Sequence, residues 1–262
     1  MEESDVQVVL KLLNRESQSK KHSLGGKLVV EKLRRISTGC SSIDRLLKGG
    51  FPVDCVSLVY GEATTGKTTL AMQTSIECAR KNFKAIYIDA DQSFSHQRLS
   101  QIAPSDAREL GSRIIIFQPA TFSEQSSLIE GLENYLMKVT KLVIVDTVTS
   151  LYRASLGSAE RTFTLNRELN RQIAYLAETA LKHHLSVVLT SQVHSSVDSQ
   201  GWRIEPVARR ILFHWPKVKL FLKPTGKADV KEAVLERPSS SPEEEVRCYY
   251  TLTEKGLEEA SH

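Results

Sequence analysis

The chain has 262 residues, 40% hydrophobic and 25% charged, as in an ordinary globular protein with one large α/β domain or a domain plus a small appendage. Its apolar runs fall short of the roughly 18 residues that a membrane span needs, which argues against a membrane protein. The four cysteines (Cys40, Cys55, Cys78 and Cys248) lack CxxC spacing, so they predict core thiols of a cytoplasmic protein and no zinc site. The formal net charge is only +4.

Residues 1–36 predict a short helical segment followed by a linker. The helix, over residues 4–15, is predicted by apolar side chains at helical spacing, namely Val6, Val9, Leu10 and Leu13. Residues 16–27 are polar and rich in Ser, Lys and Gly, as linkers are. The apolar face fits docking either on its own domain or on a neighbour.

Residues 37–262 predict one α/β domain with a mostly parallel central sheet. The predicted strands cover residues 56–60, 84–89, 113–117, 142–146 and 185–191, and the predicted helices cover 43–47, 67–81, 95–102, 123–139 and 162–183. Apolar strands alternating with helices are typical of a sheet covered on both faces. Beyond Lys217, strand-like runs at 217–222, 231–236 and 246–252 have no helices between them. They predict a small antiparallel C-terminal extension, with turns at Gly226 and between Pro238 and Pro242.

The sequence GEATTGKT from Gly61 to Thr68 has the pattern of a phosphate-binding P-loop between a strand and a helix. Its backbone N–H groups would face the phosphates of ATP, with the positive end of the following helix behind them. Lys67 would reach the β- and γ-phosphate oxygens and Thr68 would bind Mg²⁺. The predicted nucleotide contacts are Gly61, Glu62, Ala63, Thr64, Thr65, Gly66, Lys67, Thr68 and Thr69.

Polar residues at the ends of later strands complete a predicted ATPase site. Asp146 follows the apolar run 142–145 and would hold Mg²⁺, as a Walker B aspartate does. Asp91 lies just past the second strand, where a carboxylate could orient and deprotonate water. Gln192 ends the strand after Asp146 and could sense the γ-phosphate, although a plain polar strand end is an equal alternative. Arg98 could stack on adenine, or it is a surface arginine.

The segment 150–219 holds ten basic and five acidic side chains, which predicts a polyanion partner. Its two loops follow Asp146 and Gln192, where a bound polymer would meet the nucleotide. The predicted DNA contacts are Arg153, Arg161, Trp202, Arg203, Arg209 and Arg210. An exposed aromatic such as Trp202 could stack on unpaired bases of single-stranded DNA, whereas Phe213 and Trp215 are expected in the core. A solvated charged face is the alternative for the charges alone.

Further motifs resemble those of one family. They are Ser37-Thr38-Gly39 with Asp44, Gly49-Gly50-Phe51, the P-loop, Tyr87-Ile88-Asp89, Leu142 to Asp146, Leu151-Tyr152-Arg153, Leu165 to Leu169, Ser191-Gln192-Val193, His214 to Val218 and Tyr250 to Gly256. This combination is similar to RecA-type recombinases, and among them to the short archaeal RadB-like branch of the RecA/RadA family. The resemblance covers residues 36–257.

The resemblance implies a RecA-type ATPase core that binds ATP and Mg²⁺, binds DNA through two loops and assists homologous recombination and repair with little hydrolysis. It places Asp91 at the position of the family's catalytic Glu, Arg98 at the adenine-stacking Arg and Gln192 at the switch Gln. Arg153 would begin the first DNA loop, and residues 194–210 would form the second. A RadA-type recombinase or a recombination nuclease is an implied partner.

Four departures from the family pattern predict a switch with slow hydrolysis. Asp91 is one methylene shorter than Glu, and a shift of roughly 1 Å can cost on the order of 100-fold in rate. Ala208-Arg209 stands where a flexible Gly-Gly is expected, and only Arg237 matches a Lys-His-Arg motif near the C-terminus. No Phe precedes Phe51, so the usual Phe-x-x-Ala polymerisation peg is missing and a monomer or small oligomer is expected in place of a long filament.

The leading hypothesis is therefore a nucleotide-gated, DNA-binding accessory protein of recombination. An active DNA-dependent ATPase that exchanges strands is a second hypothesis, and a KaiC-like signalling ATPase that binds protein is a third. A small-molecule kinase fits less well, because the basic loops and the antiparallel extension would have no use in it.

Overall fold

The computed structural model describes residues 33–198, 201–236 and 246–260, with the side chains of 195–204 outside that description. The chain divides into a segment Met1–Leu33 and a unit Arg34–His262. The predicted N-terminal helix and linker, the turn between Pro238 and Pro242, and Arg237 lie outside the described residues. The boundary at residue 36 stays a prediction.

The helices and strands follow each other in the order β1 Arg35–Ile36, α1 Ser41–Leu46, β2 Phe51–Pro52, β3 Cys55–Gly61, α2 Lys67–Arg80, β4 Lys84–Asp89, α3 His96–Ile102, α4 Ala107–Gly111, β5 Ile114–Phe117, α5 Phe122–Glu130, a 3-10 turn Leu132–Tyr135, β6 Thr140–Asp146, α6 Ser150–Ala154, α7 Ala159–His183, β7 Ser186–Asp198, β8 Gly201–Pro206, α8 Arg209–Leu212, β9 Val218–Pro224, β10 Val230–Leu235, β11 Val246–Thr253 and β12 Gly256–Glu259. None of the helices in these ranges has the length and apolar character needed to span a bilayer.

Within the described ranges, a ten-stranded sheet has the order β12-β11-β10-β9-β3-β7-β6-β4-β5, with β8 paired to β7. The strands from β9 to β5 in that order run parallel. Strands β9 to β12 form the antiparallel extension. The predicted fold class is confirmed, with one refinement: β9, the first strand of the extension, also pairs in parallel with β3.

The central strands are buried on both faces, as their apolar sequences predict. Every residue of β3 is buried, and so are the residues 142–146 of β6. On one face the long helix α7 buries Leu169, Ile173 and Leu176, spaced by three and four residues, against the sheet. Strand pairing brings the carboxyl ends of β3, β4 and β6 to one edge of the parallel sheet, next to Gln192 in the middle of β7, because Gly61 pairs with Gln192 and Asp89 with Asp146.

Two predicted elements differ from the structure. The helix predicted over residues 123–139 ends at Glu130, and the chain turns through Gly131 into the 3-10 turn. The leucine spacing continues past this point, but Gly131 favours a break because glycine is a poor helix former. The loop predicted after Gln192 begins as a β-ribbon, because β7 continues to Asp198 and pairs with β8.

Candidate functional site

The loop between β3 and α2 has the geometry of a phosphate cradle. Gly66 adopts φ 92° immediately before α2, in the left-handed region that glycine favours. Gly61 ends β3 so close to its neighbour strand that an added Cβ would lie 2.0 Å from the carbonyl oxygen of Leu222. The two glycines therefore allow the sharp turn that aims the first N–H groups of α2 at the loop.

A cavity of about 300 Å³ opens over this loop. Its lining combines the loop and the start of α2 with residues just after β4 and β6, in the middle of β7 and near the end of β11. The lining residues are Ala63, Thr64, Gly66, Lys67, Thr68, Thr69, Asp91, Thr147, Gln192 and Leu252. Most of the predicted nucleotide contacts thus lie in one pocket. Gly61, Glu62 and Arg98 are not in its lining, and Thr65 is buried below it with its hydroxyl donating to the Glu62 carbonyl at 2.8 Å.

Lys67 is buried, with its side chain pointing to the loop itself. Its Nζ donates a hydrogen bond to the Glu62 carbonyl oxygen at 2.6 Å. Burial lowers the pKa of Lys67, although the carboxylates of Asp146, Asp91 and Glu62 oppose the shift. The hydrogen-bond partner of this buried ammonium group is a neutral carbonyl, and the group lies beside an open cavity. Phosphate oxygens bound in the cavity would neutralise its positive charge.

Asp146 lies beneath the pocket at the end of β6 and is fully buried. It accepts hydrogen bonds from the hydroxyl groups of Tyr87, at 2.6 Å, and Thr190. Burial raises the pKa of Asp146, and these bonds together with one from Thr68 lower it in part. The Asp146 carboxylate and the Thr68 hydroxyl are adjacent, and oxygen atoms of this kind are the ligands that Mg²⁺ prefers.

Asp91 is exposed and lines the pocket together with Lys67 and Thr68. Its Oδ2 accepts a hydrogen bond of 3.3 Å from the hydroxyl of Thr147, the residue after Asp146. The structure therefore places a carboxylate beside Lys67 and Thr68, where the sequence predicts the water-orienting group. Its catalytic role stays a prediction.

Gln192 links the pocket to the predicted first DNA loop, which begins at Arg153. Its Oε1 accepts a hydrogen bond of 2.7 Å from the guanidinium of Arg153, which follows the Walker B strand on α6. A contact between these two residues was not predicted from the sequence, where they were assigned to separate roles.

The C-terminal hairpin β11–β12 forms a wall of the pocket that sequence reasoning missed. Leu252 lines the cavity, and the buried hydroxyl of Tyr250 donates to the backbone carbonyl of Thr65 in the P-loop at 2.7 Å. Arg98 donates to the carbonyls of Thr253 and Glu254 in the hairpin turn, at 2.9 and 2.7 Å. The predicted adenine-stacking Arg98 therefore holds this turn, and stacking stays a prediction.

Replacing Tyr250 by Phe should lower the free energy of unfolding by about 1 kcal/mol, since the Thr65 carbonyl loses a buried donor. Nucleotide affinity should fall a few-fold with it, because that carbonyl belongs to the P-loop. Denaturant melts with and without Mg-ATP measure both effects. The control is Tyr249→Phe, since Tyr249 points to the other face of β11 and is 43% exposed. Equal effects from both variants would contradict the role of the Tyr250 hydroxyl.

A second cavity of about 400 Å³ lies between α1 and the strands β11 and β12. The ion pair of Arg45 with Glu259 borders it. No group of three or more metal-ligating side chains occurs among the described residues.

Comparison with known proteins agrees with this architecture. The Rad51 family model matches residues 30–260 of the chain. The chain belongs to the Rad51 family. It is 35% identical over 223 residues to DNA repair and recombination protein RadB of Methanococcoides burtonii, covering 85% of this chain and 97% of that protein. RadB of Thermococcus kodakarensis is 37% identical over 227 residues, covering 86% and 99% respectively.

A crystal structure of the RadB recombinase superimposes on this Rad51-family chain with a TM-score of 0.73 at 36% identity. The match covers 86% of this chain and 100% of that one. The predicted resemblance to RadB-like proteins of the RecA/RadA family is confirmed by these three comparisons.

The residues predicted to contact DNA fall in three places of the Rad51-family core. Arg153 and Arg161 are exposed on either side of the loop between α6 and α7. Trp202 and Arg203 pair through their backbones with Val197 and Ser196 in the β7–β8 ribbon, and their side chains lie outside the described residues. Arg209 and Arg210 are exposed on α8.

The end of the second loop turns into α8 at Ala208. Ala208, at the position where glycine was expected, adopts φ 55° and ψ 40° in the left-handed region before α8. The next residue, Arg209, pairs with Glu205 at 3.4 Å and lies 4.6 Å over the ring of Phe213. The chain thus keeps the glycine-like turn with an alanine, at a strain on the order of 1 kcal/mol. Phe213 and Trp215 pack against the core, as predicted.

Phe163 is an exposed aromatic side chain that was not among the DNA contacts predicted from the sequence. A lone phenylalanine in an amphipathic helix is normally expected in the core. The Phe163 side chain is 65% exposed near the start of α7, and Leu156 in the preceding loop is 43% exposed. Exposed Arg153, Arg161 and Arg167 belong to the same stretch of chain. An aromatic ring among cations is a combination that unpaired bases bind.

Proposed function

We propose that this Rad51-family chain is a nucleotide-gated DNA-binding accessory protein of homologous recombination and DNA repair, with weak ATPase activity. The observation that carries the proposal is the single pocket that Lys67, Thr68, Asp91 and Gln192 share. In the proposal Lys67 and Thr68 supply contacts to phosphate and metal, while the carboxylate available to orient water is the short side chain of Asp91. The names of the RadB relatives add recombination and repair as the process.

The residues of the pocket fit ATP with Mg²⁺. Lys67 is a buried cation beside the P-loop, and Thr68 and Asp146 offer oxygen atoms at one end of the same helix. In the proposal Lys67 holds the β- and γ-phosphate oxygens, while Thr68 and Asp146 hold Mg²⁺ directly or through water. The metal supplies charge neutralisation of the phosphates when bound. Asp91 orients and deprotonates the attacking water, but slowly, because its carboxylate is one methylene short.

The partner in this proposal is DNA, held by the arginines of the loop between α6 and α7 and of α8. Each phosphate contact makes affinity depend on salt, because binding releases counterions. A RadA-type recombinase or a recombination nuclease is the proposed protein partner, and the working form is a monomer or small oligomer in the cytoplasm.

Fluorescence anisotropy of labelled single-stranded DNA, with and without Mg-ATP, tests the function while phosphate release is recorded in the same samples. We expect ATP-dependent binding that weakens by at least 10-fold between 50 and 200 mM salt, with almost no phosphate release. Vigorous DNA-stimulated release would favour an active strand-exchange ATPase instead. Absence of DNA binding at every salt concentration would favour a protein-binding ATPase.

Replacing Phe163 by Ala should weaken single-stranded DNA binding by about 5- to 150-fold, since one stacked base contributes about 1–3 kcal/mol. The salt dependence should stay unchanged because phenylalanine carries no charge. Phe163→Trp should retain affinity. Leu181→Ala is the control, as Leu181 is 63% exposed at the far end of the same helix. If Phe163→Ala changes the sedimentation coefficient and leaves DNA affinity alone, Phe163 contacts protein and this prediction is wrong.

A further inference from the structure

The edge of the sheet opposite the nucleotide pocket carries a group of cations. Four basic residues lie at or next to the starts of the parallel strands β4, β5 and β6, namely Lys84, Arg113, Lys138 and Lys141. These four residues form the amino-edge cluster. Strand β4 separates Lys84 from Asp89 at the pocket end by about 17 Å, at about 3.3 Å per residue. The cluster is therefore distinct from the nucleotide pocket.

Strand pairing holds the members of the amino-edge cluster side by side. The N–H of Lys84 donates to the carbonyl of Val139 at 2.9 Å, and the N–H of Ala85 donates to the carbonyl of Arg113 at 3.0 Å. Neighbouring strands are about 4.8 Å apart, so the three strand starts span about 10 Å. Lys84 and Lys141 are half-buried, which restricts their long side chains before any partner binds.

The acidic side chains around this edge leave most of the positive charge unbalanced. Asp54 pairs with a histidine at 2.7 Å, and Glu133 pairs with Lys182 at 2.9 Å. Glu109 approaches Arg113 only to 3.9 Å and is 73% exposed, so it neutralises that cation weakly. Among the described residues, the three lysines of the cluster have no acidic partner. A local excess of positive charge is typical of a surface that binds a polyanion.

The side chains around the cluster favour the phosphate backbone of duplex DNA. Lysine and arginine neutralise phosphates whatever the sequence of the bases. Binding of unpaired bases uses exposed aromatic rings, whereas Phe83, beside Lys84, is half-buried. A protein partner would need several apolar anchors. Of the large apolar side chains described at these strand starts, only Val139 is exposed, at 45%.

We propose that the amino-edge cluster is a second DNA site, which binds the phosphate backbone of duplex DNA. The proposal goes beyond the proposed function, in which single-stranded DNA binds the arginine-bearing segments that follow Asp146 and Gln192. The cluster lies at the opposite ends of the strands from the nucleotide pocket, so a bound duplex leaves the pocket open. One chain can then hold a duplex and a single strand at the same time, which are the two kinds of DNA that recombination brings together.

Fluorescence anisotropy of a labelled duplex between 50 and 200 mM salt tests the second site. The double variant Lys84→Gln/Lys141→Gln keeps the length of both side chains and removes two charges. We expect it to weaken duplex binding by about 10-fold at the lowest salt concentration and to reduce the slope of log affinity against log salt by about 2. Its affinity for single-stranded DNA should equal that of the wild type. Lys84→Arg/Lys141→Arg retains both charges and should retain duplex affinity.

The matched control is Lys227→Gln/Lys255→Gln, which removes two exposed lysines from the β9–β10 and β11–β12 connections. Duplex affinity and its salt slope should stay at the wild-type values. Thermal melts check that each variant folds. If the double variant does not fold, Lys138→Gln repeats the test at an exposed position, with a reduction of the slope by about 1.

Simultaneous binding is measured by energy transfer between a donor-labelled duplex and an acceptor-labelled single strand of unrelated sequence. The signal should appear with the wild type and disappear with Lys84→Gln/Lys141→Gln. Unchanged duplex affinity and salt slope in that variant would overturn the proposal. An equal loss of duplex and single-stranded binding would do so too, because both DNAs would then share one site. If the wild type binds the duplex through these lysines but binds no single strand, the proposed function fails and the second site stands.

Discussion

Replacing Lys67 by Met is expected to reduce Mg-ATP affinity by at least 100-fold and to raise the stability of the ligand-free protein. Charge-assisted contacts to phosphate are among the strongest polar contacts in proteins, and Met offers none. A loss of about 3 kcal/mol corresponds to more than 100-fold in affinity. Isothermal titration with Mg-ATP measures this loss directly.

The gain in stability follows from the environment of the same side chain. Lys67 is only 8% exposed, its hydrogen-bond partner is a neutral carbonyl, and burial lowers its pKa. A charged form that is disfavoured in the folded state costs free energy at neutral pH, because the unfolded chain holds the proton more tightly. Met is similar in volume and carries no charge, so we expect about 1 kcal/mol of added stability, as is common when a functional residue is removed.

Lys81→Met is the matched control, since Lys81 lies exposed at the other end of α2. It should leave Mg-ATP affinity unchanged and should shift stability by no more than a few tenths of a kcal/mol. Lower stability of ligand-free Lys67→Met would show that Lys67 has a structural role, and the phosphate role would then need independent support. Unchanged Mg-ATP affinity in Lys67→Met would contradict the proposed binding of phosphate by Lys67.

The elements near the nucleotide pocket were predictable because local and global signals agree there. The apolar runs of β3, β4 and β6 have side chains that need burial on both faces, as in a parallel sheet. Their ends could therefore be predicted from the sequence to within a residue or two. Since the carboxyl ends of parallel strands share one edge, Lys67, Asp91 and Gln192 could also be expected together.

Other features depend on contacts between parts of the chain that are far apart in sequence. The extension of β7 to Asp198 exists because β8 returns as its partner, and neither strand carries a strong apolar pattern alone. Leucine periodicity over residues 123–139 persisted across Gly131, where the helix stops. The Tyr250–Thr65 bond joins residues 185 positions apart, and no spacing rule predicts it.

Replacing Asp91 by Glu is expected to raise the rate of ATP hydrolysis by about 10- to 100-fold, since a misplacement of roughly 1 Å can cost on the order of 100-fold. Asp91 already lines the pocket and is oriented by the Thr147 hydroxyl at 3.3 Å. The added methylene extends the carboxylate into an open cavity, where it meets no packing constraint because Asp91 is exposed. The phosphate and Mg²⁺ contacts proposed for Lys67, Thr68 and Asp146 do not involve Asp91, so ATP affinity should change by less than a few-fold.

Single-turnover hydrolysis of Mg-ATP, with and without single-stranded DNA, separates this gain from changes in binding or product release. Asp91→Gln has the length of Glu without its basicity, so it should not exceed the wild-type rate; if it did, the gain would reflect packing and no base catalysis. An unchanged rate in Asp91→Glu together with rapid wild-type hydrolysis would show that Asp91 is already well placed. The chain would then be an active DNA-dependent ATPase, and the weak-switch proposal would be wrong. A higher hydrolysis rate in Asp91→Glu, but not in Asp91→Gln, would instead show that the short side chain of Asp91 limits the wild-type rate. The remaining groups of the site would then be competent for catalysis.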